Sequence, residues 1–275
     1  TKSSFQTNIK NVACERGFYD IADEPANPQA TEEMLSDLEK YFDTVIDLTT
    51  NSIKATHQLV PEYKIPLARL LHIQLARTKS TRNKILDTEN AINKALHNIA
   101  DGIRELDNKK INFPVPLTLD KLPIAQADML LNSYLEKSVN FFIDEFVWNI
   151  GVNNKRMPLY TSDNPVVKDR KSGGPPNIIS EIAFPLTPEY ILLLGHKSFL
   201  GKAGIRSAEE IDCRLVSMRA ETIKYFNSLQ VFQCIRQIYY SRKSFQTARQ
   251  ICNKFPEWCK PKRDRVENIT YQNET

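Results

Sequence analysis

Pro158-Leu159-Tyr160-Thr161-Ser162-Asp163-Asn164-Pro165-Val166-Val167 is the stretch at which the chain stops reading as helix and starts reading as sheet. Two short extended runs flank a turn-forming polar centre, and a small sheet is expected to begin here. On the N-terminal side the apolar residues recur at helical spacing. Thr31 with Glu32 and Glu33 reads as an N-cap with acids in the first turn, and Met34, Leu38, Tyr41, Phe42, Val45 and Leu48 form its stripe. Pro61 and Pro66 introduce a second helix in which Leu67, Leu70, Leu71, Ile73 and Leu75 are dense enough to imply burial on most sides. A third helix is expected over 81–106, with Ile85, Ile92, Leu96, Ile99, Ile103 and Leu106 on one face, and a fourth from Ile124 to about Phe146.

On the C-terminal side, Lys171 to Pro176 reads as a loop, and Ile178–Phe184 and Tyr190–Leu194 read as a hairpin joined by Pro185-Leu186-Thr187-Pro188. Ser207-Ala208-Glu209-Glu210 reads as a capping box opening a helix to about Ser241, broken near Asn227. The expected class is α+β: a predominantly helical layer packed on a small antiparallel sheet, forming one domain over 1–258, with 259–275 a basic polar tail.

With 275 residues, 41% hydrophobic and 25% charged, the composition is that of a globular protein, and 8 glycines against 15 prolines disfavour a sandwich of many short strands. The longest apolar run, Ile191 to Leu194, is far too short to span a bilayer, so no membrane partner is expected. Cys14, Cys213, Cys234, Cys252 and Cys259 show no zinc spacing and read as reduced thiols of a cytoplasmic protein. Net charge is +4, but its distribution is lopsided: residues 1–52 carry four bases against ten acids, and residues 236–265 nine bases against two acids.

No glycine-rich nucleotide loop, His-Glu-x-x-His helix or Gly-x-Ser-x-Gly elbow is present, and the four histidines lie on different elements. The most concentrated polar segment is 161–165. One reading is an Asx-type turn with no further role. The other makes Asp163 a general base or metal ligand, with Glu181 as a second carboxylate, Lys168 between them and magnesium as the expected metal. Gln74 and Arg77 lie three apart on one face of an apolar helix, where Arg77 suits either an ion pair with a carboxylate such as Asp163 or an anion site. Around Arg249 and Lys254, bases alternate with Tyr239, Tyr240, Phe245, Phe255 and Trp258, which suits nucleic acid as well as it suits a core-packed terminal helix with solvated lysines.

Four segments resemble an uncharacterised family, domain of unknown function 4238. They are Asn11 to Tyr19, ending in Phe-Tyr; Gln74-Leu75-Ala76-Arg77-Thr78, similar to its Gln-x-x-Arg-Thr helix; Thr161-Ser162-Asp163-Asn164-Pro165-Val166; and Phe184-Pro185-Leu186-Thr187-Pro188. The family's usual opening, a His-Tyr-x-Pro-like segment followed by Leu-x-x-Phe, is not found. The resemblance implies a fold and a set of positions, not a reaction, and it draws Gln74, Arg77, Ser162, Asp163 and Asn164 toward one pocket.

Two functional expectations follow. The first is a hydrolase acting on nucleic acid or nucleotide, such as a metal-dependent nuclease in phage defence or a toxin. Asp163 and Arg77 would be catalytic, Gln74, Ser162, Asn164, Arg249 and Lys254 would hold substrate, and Asp163 and Glu181 would hold the metal. The second is a non-enzymatic protein-interaction module whose polar cluster is structural.

Overall fold

A computed structural model describes residues 30–88, 90–91, 94, 133–169, 180–200, 207–241 and 245–256. The expectations for 11–19, for the far end of the third helix, for the 171–176 loop and for the 259–275 tail lie outside the described residues. Helix α1 (Ala30–Thr56) is followed by a 3-10 turn at Pro61–Tyr63 and by α2 (Lys64–Ala76). Residues 79–88 are again helical, and α3 (Ser133–Glu145) runs directly into strand β1 (Phe146–Val152). Then come β2 (Thr161–Ser162), β3 (Val167–Asp169), β4 (Glu181–Pro185), β5 (Tyr190–His196), β6 (Leu215–Ser217), α4 (Ala220–Gln233), β7 (Ile238–Tyr239) and α5 (Gln246–Lys254).

The class is α+β, as the sequence implies. Five strands form one sheet in the order β3-β4-β5-β1-β6, and β2 pairs with β7 in a separate two-stranded ribbon. The main sheet is mixed, not wholly antiparallel: β3-β4, β4-β5 and β5-β1 are antiparallel, but β6 lies parallel to β1. Side chains alternate across it. Ile182, Phe184, Leu192 and Leu194 face a core shared with Phe42 and Val45 of α1 and Leu67 and Leu71 of α2, while Ala183 and Ile191 face Ile223 and Phe226 of α4. Helices therefore cover both faces. α2 is the central helix of the layer, with Leu67, Ala68, Leu70, Leu71, Ile73 and Ala76 all buried. At roughly 1.5–3 kcal/mol for each fully buried large apolar side chain, this interface is a principal source of stability.

Two elements differ from the sequence reading. β1 is the sheet's second strand from one edge and is apolar on both sides, so Phe146-Val147-Trp148 continues the preceding helical pattern with no turn residue to mark the change. The helix expected from Ser207 begins only at Ala220. Ser207 Oγ accepts from the Glu209 amide at 3.2 Å within a local turn, and Cys213 then takes a left-handed conformation (φ 62°), which ends helical continuation before β6. Leu215 and Met218 are three apart and mimic helical spacing, although the first lies in β6. The thiol expectation also changes. Cys213 and Cys234 are in no disulfide, but Cys252 is disulfide-bonded; spacing along the chain carries no information about which cysteines meet in space.

One partly buried ion pair pins the layers together. Lys64 at the start of α2 meets Asp212, whose other oxygen accepts from the Trp148 amide of β1 at 2.8 Å. Trp148 is fully buried and donates its indole N–H to the Phe142 carbonyl at 3.0 Å.

Gly151 is the position at which β1 tolerates no side chain, because an added Cβ would lie 2.6 Å from Ile191 Cγ2 and 2.8 Å from Met218 Sδ. Gly151→Ala is expected to destabilise the protein by about 1–3 kcal/mol through overpacking, read as a fall in the midpoint of chemical denaturation with an unchanged m-value.

Candidate functional site

The polar segment at the centre of the sequence reading lies along helix α4, and three amide side chains on one face of that helix hold it. Asn227, Gln230 and Gln233 are spaced three apart. Asn227 Oδ1 accepts from the Tyr160 amide at 2.8 Å while its Nδ2 donates to the Pro158 carbonyl at 3.1 Å. Gln230 Oε1 accepts from Ser162 Oγ at 2.7 Å, and its Nε2 donates to the Pro165 carbonyl at 2.8 Å. Gln233 grips both backbone groups of Lys168, accepting from N–H at 3.0 Å and donating to C=O at 2.6 Å. The helix thus supplies hydrogen bonds that a neighbouring strand would otherwise give to residues 158–168. Asn227 and Gln230 are buried, where an unpaired backbone group is costly.

Asp163 faces the end of the same helix. Its carboxylate accepts from the amides of Ile235 (3.0 Å), Arg236 (2.7 Å) and Gln237 (3.3 Å), and its own amide donates to the Gln237 carbonyl at 3.1 Å. Asn164 Nδ2 donates to the Gln233 carbonyl at 3.0 Å, and the Asn164 amide donates to Ser162 Oγ at 3.2 Å. All three polar side chains of 162–164 are therefore engaged by α4 or by the turn that follows it. Burial pushes the Asp163 carboxyl above its ordinary value of 3.8, and the three amides only partly oppose this. Nearby, burial and the Asp163 charge push the Tyr239 hydroxyl up to about 12.

The residues expected to share a pocket are distributed otherwise. Arg77, expected against Asp163, forms its ion pair with Glu39 of α1, because the end of α2 packs beside α1 and not beside β2. Glu181 stands across the β3-β4 rung from Asp169, and Tyr225 of α4 donates its hydroxyl to both, at 3.3 Å and 2.5 Å. Desolvation and these two acids raise the Tyr225 hydroxyl well above its usual range. Gln74 is half-buried on α2, and its Oε1 has no hydrogen-bond partner among the described residues. Thr78, which completes that motif, accepts from the Thr81 amide at 3.2 Å at the start of helical residues 79–88. Arg249 and Lys254 are exposed on α5, with the Lys254 ammonium 5.4 Å from the Phe255 ring centre. Among the described residues no group of three or more His, Cys, Asp or Glu is placed to hold a metal ion, and no helix is long and apolar enough to cross a membrane.

Asn227, Gln230 and Gln233 are the residues that sequence reasoning missed. Their signal was present as three amides at i, i+3 and i+6 on one face of the helix, but Asn227 reads more readily as a helix breaker.

A family model described as a protein of unknown function, DUF4238, matches residues 1–244. The chain belongs to this family. Within DUF4238 the Thr-Ser-Asp-Asn-Pro-Val and Gln-x-x-Arg-Thr segments of this member sit on different parts of the fold: the first against α4 and β7, the second at the corner between α2 and the next helix. No curated protein and no solved structure shows a match.

Two measurements check this geometry. Asn227→Ala leaves the Tyr160 N–H and the Pro158 C=O unpaired in a buried setting and is expected to cost about 2–5 kcal/mol, read by denaturant unfolding. A carboxyl-carbon NMR titration is expected to place the Asp163 midpoint above 3.8. A raised folded-state value means that the folded protein binds this proton more tightly than the unfolded chain. The contribution of Asp163 to stability is then greatest below the ordinary carboxylate range and declines as pH rises through the folded value. A midpoint below 3.8 would mean that the amides outweigh burial.

Proposed function

We propose that this chain is a protein-interaction module in which the Thr-Ser-Asp-Asn-Pro-Val segment is a structural brace. The observation that carries this reading is that Asp163 has its carboxylate taken up by three backbone amides of the 235–237 turn. A general base needs a free lone pair aimed at substrate, and a metal ligand needs further ligands converging with it. Asp163 has its oxygens directed at its own turn, and the carboxylate suggested as its companion, Glu181, is engaged with Tyr225. A polar network satisfied within the fold rigidifies one conformation, which is what a binding surface needs from its scaffold.

The test compares the full chain with Asp163→Ala on mixed RNA and DNA, with magnesium or with EDTA, alongside thermal unfolding. The expected outcome is no cleavage by either protein and a loss of about 2–3 kcal/mol in the variant, a fall of roughly 5–10 °C in Tm. Magnesium-dependent cleavage that disappears with Asp163→Ala while the fold is retained would overturn this reading in favour of a nuclease.

A further inference from the structure

The two edges of the main sheet are treated differently by the fold. At the β3 edge, Gln233 occupies the backbone N–H and C=O of Lys168, so no further strand can pair there. At the β6 edge no described residue pairs with the outward backbone. Val216 stands opposite Gly151, and the neighbouring bonds, Ile150 N–H to the Arg214 carbonyl at 2.9 Å and Met218 N–H to the Val152 carbonyl at 2.9 Å, fix the phase of the ladder. In a parallel pair alternate residues direct both backbone groups at the partner, so Arg214, Val216 and Met218 face β1 while the N–H and C=O groups of Leu215 and Ser217 point away from it. Among the described residues nothing pairs with those outward groups. Val216 is 45% exposed, and Ser217 is exposed beside it.

Charge brackets this edge. Arg214 and Arg219 are both exposed, and neither forms an ion pair among the described residues. The acid nearest in sequence to Arg214, Asp212, is committed to Lys64 and the Trp148 amide. Arg219 is still extended, at φ −77° and ψ 160°, so the edge continues up to the first turn of α4. The two guanidinium groups are five residues apart, which is about 16 Å along an extended chain. An exposed, apolar strand edge of this kind is normally closed or blunted, and one left open is a template for strand addition.

We propose that the β6 edge binds an extended segment of a partner protein that carries an apolar residue between flanking carboxylates. This rests on the interaction-module reading above and names the partner's chemistry. Leu215 and Ser217 supply main-chain hydrogen bonds, Val216 supplies apolar contact, and Arg214 and Arg219 select the acidic flanks. The same arginines disfavour a second copy of this chain, since antiparallel pairing of two β6 edges would bring four guanidinium groups together.

The test uses fluorescence anisotropy of a fluorescein-labelled Glu-Glu-Thr-Val-Thr-Val-Glu-Glu peptide titrated with the full chain, beside the same peptide with lysine in place of every glutamate. Saturable binding of the acidic peptide is expected. It should be at least tenfold weaker for the lysine peptide and for the Arg214→Glu/Arg219→Glu variant, with that preference shrinking at high salt. Ser217→Pro removes one outward N–H while leaving the groups that face β1, and it is expected to weaken binding at least tenfold without changing the far-UV spectrum. If that variant does not fold, the charge-reversal variant alone decides the matter.

The proposal is overturned if the acidic peptide does not bind, if it binds Ser217→Pro or the charge-reversed chain as tightly as the parent, or if the edge proves to be a self-interface, seen as a dimer that Ser217→Pro dissociates. Failure here with an inert Asp163 removes only the edge assignment. Metal-dependent cleavage through Asp163 removes the module reading whatever the peptide does.

Discussion

Hydrogen bonds from the amide face of α4 to the 158–168 backbone are the constraint on which the second half of the fold depends. That stretch contains two prolines, Pro158 and Pro165, so it has fewer amide donors than an ordinary strand and makes only the two-residue β2 and the three-residue β3. Without partners its carbonyls and remaining amides would be buried unpaired, at a cost of order 1–3 kcal/mol each. Asn227, Gln230 and Gln233 supply those partners from a helix, and in doing so fix the position of α4 over the sheet. With α4 in place, Ile223 and Phe226 cover one face of β4 and β5, whose other face is already covered by α1 and α2.

The end of α4 extends the same logic to the C-terminal unit. Asp163 binds the three amides that follow the helix and so sets where β7 leaves to pair with β2. Tyr160, one residue before β2, is fully buried and stacks edge-on against Tyr240 with ring centres 4.7 Å apart, in a small core with Val231 and Ala248. The polar motif and the aromatic cluster beside it hold one another in place: the carboxylate fixes the chain direction, and the rings exclude water from the bonds around it.

Much of this was legible in the sequence where periodicity was clean. The dense apolar run of α2 and the β4-β5 hairpin are where residue spacing puts them, and the stripe of α1 is so at Phe42 and Val45, although Tyr41 and Leu48 face outward and Leu35 is buried in their place. β1 was hidden because a strand covered on both faces loses the alternation by which strands are recognised, and Phe146-Val147-Trp148 follows a helix with no punctuation between. β6 was hidden because Ile211, Leu215 and Met218 keep helical intervals although Cys213 between the first two is left-handed. At the candidate site, the segment 161–165 was rightly singled out as a concentration of polar groups. Residue type alone could not say whether those groups face a ligand or their own backbone, because the deciding partners, Gln230 and the 235–237 amides, are 68 to 74 positions away. Arg77 was likewise assigned a partner by chemistry, and Glu39 rather than Asp163 was the carboxylate within reach.

Amide hydrogen exchange at Tyr160 and Lys168 tests the central claim most directly, since each of these amides donates to a side chain of α4 and to no strand. Both are expected to exchange as slowly as amides of the buried strands β4 and β5, and a Gln233→Ala variant is expected to release Lys168 selectively while β5 stays protected. Exchange of both amides at the rate of an unstructured peptide in the parent chain would contradict the account: the polar segment would then not be braced by α4, and its side chains would be available for a ligand.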